Sequence, residues 1–198
     1  MEGGEIEGGS SVYLIAGLGN PGLEYEGTRH YFGFDVVSCF AEKHQLFFER
    51  ERKLKGKIAK GRSERKDFLL LKPSTYMNES GGSVAATICY YKVPLSQVIV
   101  VVDDVAIPFG EFRIRAQGSS GGHNGLKSVE AHLGSSLFPR LRIGVGRDFR
   151  EDLADYVLGR FTAEEKKMIP EILEKAVRSI EIWMEQGINR AMEFLSKE

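Results

Sequence analysis

The sequence predicts one α/β domain, residues 12–198, built on a twisted mixed β-sheet flanked by helices. Three observations carry this. Short β-branched apolar runs alternate with longer segments whose apolar residues recur at helical spacing, as in βαβ units. Two other runs, EFRIRAQG and RLRIGVGR, alternate in polarity and read as strands with unlike faces. At 198 residues, 42% hydrophobic and 28% charged, the chain has the size and balance of one globular domain.

SVYLIAGLG is the first strand, and the turn-rich NPGLEYEGT follows it. Thr28 is placed to cap a helix whose Phe32, Val36, Val37 and Phe40 share one face. A charged stretch leads to DFLLLKP, a strand stopped at Pro73. NESGGSVAATICYYK reads as a helix opened by Asn78. VIVVVDD is the most β-branched run and belongs at the centre of the sheet. EFRIRAQG fits an edge or antiparallel strand, and residues 118–124 form a glycine-rich loop. NGLKSVEAHLG is a short helix ending at Gly134, and RLRIGVGR is a further strand. From Thr162 the chain turns helical behind a Thr162–Glu165 capping box, with Pro170 expected to begin a new helix.

Residues 1–11, MEGGEIEGGSS, read as a flexible acidic tail outside the fold, without the basic and apolar segments of a secretory leader. No apolar run approaches the roughly 18 residues that span a bilayer, so no membrane partner is expected. Cys39 and Cys89 lie in apolar helical patterns and read as buried small hydrophobes, and a cytoplasmic setting follows by default. Net charge is −1, yet residues 49–66 carry nine Lys/Arg against three Glu, and residues 113–160 carry eight against five acids. Such segments suit a local face for phosphates.

Gly17, Gly19 and Gly22 satisfy the G-x-G-x-x-G pattern behind a strand, which raises a nucleotide-binding oxidoreductase as a rival reading. Against it, the motif opens no helix, Pro21 removes an N–H from the cradle, and no acid-ended strand follows about twenty residues on.

Of four histidines, His44 and His132 read as solvated helix residues. His30 and His123 instead fall beside glycine loops ahead of helices, as do Asn20, Asn78 and Asn124 at strand-to-helix junctions. Crevices of open α/β sheets lie at those junctions. Histidine has the proton affinity for base catalysis near neutrality. Asp103 or Asp104 could orient its ring, and carboxamides could hold an ester carbonyl and its oxyanion. No nucleophile motif and no zinc-spaced ligand set accompanies them, so neither metal nor cofactor is expected. The chemistry left is attack by His-activated water.

GLGNPGLEYEGTRH, KPSTYMNESG, VVDDVAIPFG, GSSGGHNGLKS and LRIGVGR, in this order, resemble the bacterial-type peptidyl-tRNA hydrolases from about Tyr13 to the C-terminus. The resemblance implies a compact monomer that cleaves the ester between a peptide and the 3′-terminal ribose of tRNA. It implies His30 as base and Asp103 as its orienting acid. By the same likeness Asn20, Tyr25, Met77, Asn78, His123 and Asn124 bind substrate at the acceptor end, and Arg115, Lys127 and Arg142 meet tRNA phosphates. Tyr31 stands where the family usually has Asn, and Ala106 and Ile107 where it favours an acid and its neighbour. A non-catalytic RNA-binding relative is the alternative this leaves.

Overall fold

The computed structural model describes residues 12–197, so the expected tail at 1–11 lies outside the described residues. A seven-stranded sheet is ordered β2-β3-β4-β1-β5-β7-β6. Its strands are β1 (Tyr13–Gly17), β2 (Glu49–Glu51), β3 (Gly56–Ser63), β4 (Lys66–Pro73), β5 (Val98–Asp104), β6 (Phe112–Arg115) and β7 (Arg140–Gly144). The four inner strands β4, β1, β5 and β7 are parallel, while β3 and β6 pair antiparallel at either side, so the sheet is mixed as expected.

Alternation on the parallel strands supplies both faces. Ile15, Ile99 and Val101 enter one core beneath α1 (Phe32–Lys43) and α5 (Ala163–Gln186), which α6 (Ile188–Ser196) extends. Leu14, Ala16, Val98, Val100 and Val102 enter the other, beneath α2 (Ser80–Tyr91) and α3 (Asn124–Leu133). Burial on two faces explains why β5 is a continuous apolar run; each such side chain contributes roughly 1.5–3 kcal/mol. β5 lies one strand off the middle, which β1 occupies.

From β1 the chain runs to the edge strand β2, comes back inward through β3 to β4 beside β1, and then crosses to the opposite side of β1 as β5. The strand order therefore switches between β1 and β5, the place where an α/β sheet opens a crevice at its carboxyl edge. Close packing forms that edge: a Cβ on Gly33 would lie 2.5 Å from the carbonyls of both Leu18 and Val101.

Several element expectations change. Thr28 precedes a 3₁₀ turn, Arg29–Tyr31, rather than α1 itself, and its hydroxyl donates to the Tyr25 carbonyl instead of capping. Asn78 sits within a 3₁₀ turn, Met77–Glu79, ahead of α2. Pro170 lies inside α5, on an exposed stretch where water can take the carbonyl bond that proline leaves unmade. The Thr162–Glu165 capping box ahead of it is complete. Cys89 is exposed near the end of α2, and Cys39 is only half-buried. His44 stacks on Phe40 and bonds the buried Glu181 of α5 at 3.0 Å, so it is a packing residue and not a solvated one.

Candidate active site

His30 reaches the carboxyl edge because Thr28 and Arg29 fix the turn beneath it. Arg29 is buried, donates to the Tyr156 carbonyl at 3.1 Å and pairs with Glu165 at 3.3 Å, while its guanidinium lies over the Tyr156 ring. Its own N–H bonds the Gly159 carbonyl. This anchor to α4 (Leu153–Val157) and the start of α5 escaped the sequence reading, since nothing in the tripeptide TRH marks the arginine as buried.

His30 Nδ1 lies 2.9 Å from both Oδ1 and Oδ2 of Asp103, the penultimate residue of β5, which is 2% exposed. A carboxylate can only accept, so Nδ1 carries the proton and Nε2 keeps its lone pair. Burial disfavours the imidazolium, but the charge and hydrogen bond of Asp103 outweigh it, and the His30 pKa is raised. Burial would likewise raise Asp103; the His30 charge and the bonds from His123 and His30 instead hold it well below the usual carboxylate range. Of the two candidate acids, only Asp103 orients the imidazole. Asp104 accepts from the Ala106 N–H at 2.8 Å and from Arg142 at 3.3 Å.

Two other predicted residues join this edge directly. Asn20, after β1, accepts the Met77 N–H at 2.6 Å, which orients its amide and ties the first loop to the turn before α2. His123 reaches Asp103 Oδ1 through Nε2 at 3.1 Å. Asn78 and Asn124 are exposed at the starts of α2 and α3. Met77 is 4% exposed and belongs to the core, with its sulfur against Gly125. Tyr25 is half-buried in the 3₁₀ turn Leu23–Tyr25. Arg115 and Lys127 are exposed, whereas Arg142 is spent on Asp104 and the carbonyls of Ser119 and Ser120.

The departures from the family pattern are accommodated by packing. Tyr31 meets Phe34 edge-on at 5.0 Å, and Ile107 is buried against Gly144. The glycines of the nucleotide-like motif serve packing too: Gly17 faces the Gly33 carbonyl, and Gly19 faces the Phe34 ring. Ligand-type atoms of His30, Asp103 and His123 lie within 4.8 Å of one another, but the hydrogen bonds among these three groups already account for that proximity.

Fold and cluster together define an α/β protein with a histidine–carboxylate centre at a strand-switch crevice, an arrangement that hydrolases use. The peptidyl-tRNA hydrolase family model matches residues 14–198, and the chain belongs to that family. It is 42% identical over 181 residues to a peptidyl-tRNA hydrolase of Clostridium novyi, with 91% of this chain and 96% of the relative covered. It is 44% identical to one from Clostridium botulinum, covering 91% and 95%. A crystal structure of peptidyl-tRNA hydrolase from Acinetobacter baumannii superposes with a TM-score of 0.88 at 34% identity, covering 94% of this chain and 95% of that one.

Proposed function

We propose that this chain hydrolyses the ester joining a peptide to the 3′-terminal ribose of tRNA, with His30 as general base. The observation that carries the reading is the His30–Asp103 pair, an imidazole held by a buried carboxylate with Nε2 making no hydrogen bond among the described residues. Nε2 removes a proton from water as the oxygen attacks the ester carbonyl. The carboxamides of Asn20, Asn78 and Asn124 hold the acyl part and donate to the oxyanion. As the tetrahedral intermediate collapses, the imidazolium returns the proton to the departing ribose oxygen. An alkoxide leaves far more readily than an amine, so no stronger acid is required. Tyr25 and Met77 border the substrate; Arg115 and Lys127, with Arg142 partly neutralised by Asp104, provide positive charge for tRNA phosphates, which set affinity without reading sequence. The enzyme is read as a cytoplasmic monomer without cofactor; among the described residues no helix is long and apolar enough to cross a membrane.

Single-turnover release of peptide from labelled peptidyl-tRNA tests the reading. His30→Ala should lose at least a hundredfold in rate, the lower end of the range for a general base, while peptidyl-tRNA still binds. Equal loss of binding and rate would make His30 structural. A wild-type chain that retards tRNA on a gel but releases no peptide would establish the binding-only alternative.

A further inference from the structure

We propose that His123 acts through Asp103 as a positioning residue: it is locked in one neutral tautomer by the N-terminus of α3 and spends its only N–H on the carboxylate behind His30. This rests on His30 being the base, and it gives His123 a role other than contact with substrate.

The tautomer follows from partners on both ring nitrogens. His123 is the N-cap of α3, and its Nδ1 accepts the backbone N–H groups of Gly125 at 3.1 Å and Leu126 at 3.3 Å. A nitrogen receiving two N–H donors cannot carry its own proton. The single proton therefore sits on Nε2, 3.1 Å from Asp103 Oδ1, which can only accept. Protonating Nδ1 as well would expel both backbone donors and place a cation at the positive end of the helix. His123 thus supplies Asp103 with a hydrogen bond and no charge.

Asp103 Oδ1 is shared between His123 and His30, while Oδ2 faces His30 alone. Each donor withdraws electron density from the carboxylate, so His123 weakens the acceptor that would otherwise hold the His30 imidazolium more tightly. A base must release its proton once the ester has reacted, and His123 moderates how firmly His30 keeps it. The charged groups on neighbouring elements are engaged elsewhere or stand apart. Asp104 pairs with Arg142 of β7, Arg29 pairs with Glu165, and Asp35 of α1 makes no hydrogen bond to the pair among the described residues. The rings of His30 and His123 meet at 5.1 Å between centroids, which fixes their mutual tilt.

His123→Asn isolates the contact. Asparagine is a favoured N-cap; its Oδ1 takes the place of Nδ1, and nothing replaces Nε2. Asp103 then becomes the stronger acceptor for His30, and the acidic limb of the kcat/KM profile should move up by roughly half a unit to one unit. Hydrolysis of a minimal peptidyl-nucleotide ester should fall about three- to tenfold near pH 6.5 and recover by pH 9, with KM changed less than twofold. A loss equal at every pH, or a rise in KM alone, overturns the proposal in favour of a structural or substrate-binding role. Long-range ¹H–¹⁵N correlation spectra of the wild-type protein give a reading independent of turnover. His123 should have a protonated Nε2 and a bare Nδ1, and a protonated Nδ1 overturns the proposal. If His30→Ala retained activity while these spectra held, the base assignment would fail and the His123 tautomer would stand.

Discussion

Asp35, in the first turn of α1, is a half-buried carboxyl with no hydrogen bond among the described residues. Burial raises its pKa, Lys72 opposes the rise and Glu26 adds to it, and the result is about 7. An unfolded aspartate titrates near ~3.9, so between that value and 7 the folded chain binds more protons than the unfolded one. Stability therefore declines as pH rises through this window and levels off above 7. Asp35→Asn should leave stability unchanged near pH 4 and raise it by on the order of 1–3 kcal/mol at pH 8, less whatever Lys72 loses with its partner. Chemical denaturation at both pH values checks this, and a gain independent of pH would contradict it. Asp35 gave no sequence signal, since one acid in an amphipathic helix resembles any surface acid. His30, Asp103 and Asn20 were legible because Asp103 ends an apolar strand and the other two fall in the loop and turn after one, where any polar choice stands out. The His123–Asp103 bond and the Arg29 anchor were not, because they depend on which segments meet across sequence separations of 20 and 127 residues.

At the scale of elements, α1 delivers His30 because its first turn lies almost against the backbone of β1 and β5. Gly33 is the point of contact, three residues beyond His30, and there is no space for a methyl group between the Leu18 and Val101 carbonyls. Gly33→Ala should cost roughly 1–3 kcal/mol of stability, as overpacking does, and should lower kcat because the displaced turn takes His30 away from Asp103. Thermal melts and turnover measured together check it; a stable variant with normal turnover would mean that α1 does not fix His30. The parallel strands were readable because burial on two faces demands unbroken apolar runs. The β2–β3 segment was not. At the sheet edge the lysine-rich chain buries Ile58 and Ala59 but leaves most of its charges in water, as edge strands do. The tight turn from β3 to β4 is made by Glu64 and Arg65, both with positive φ, where glycine or asparagine would have given the signal. Pro170 misled for the opposite reason: a helix anchored by a complete capping box and a long buried face tolerates one missing bond on its wet side.

Across the whole molecule, a net charge of −1 conceals an uneven surface. On the face of the sheet that α3 covers, Arg113 and Arg115 of β6 stand opposite Arg142 and Arg140 of β7. Two of these four cations are consumed internally, Arg140 by Glu130 and nearby carbonyls, Arg142 by Asp104 and the loop before α3. Arg142 therefore shapes the loop that ends in His123, and its charge is partly neutralised before any RNA arrives. Arg113 and Arg115 have no ion pair among the described residues and lie exposed at the sheet margin, with Lys127 exposed on α3. If this margin meets tRNA phosphates, the free arginines should carry more of the salt dependence than Arg142 does. One lost phosphate contact lowers the slope of log affinity against log salt by about 0.7 on single strands and about 0.9 on duplex. Arg115→Ala should accordingly raise KM for peptidyl-tRNA several-fold at low salt and flatten its salt dependence by roughly that amount, while a minimal peptidyl-nucleotide ester reacts as before. Equal damage to the minimal ester would place Arg115 in the catalytic cleft, and an unchanged slope would move the tRNA path off this margin, leaving the cationic β2–β3 hairpin at the other side of the sheet as the face to test next.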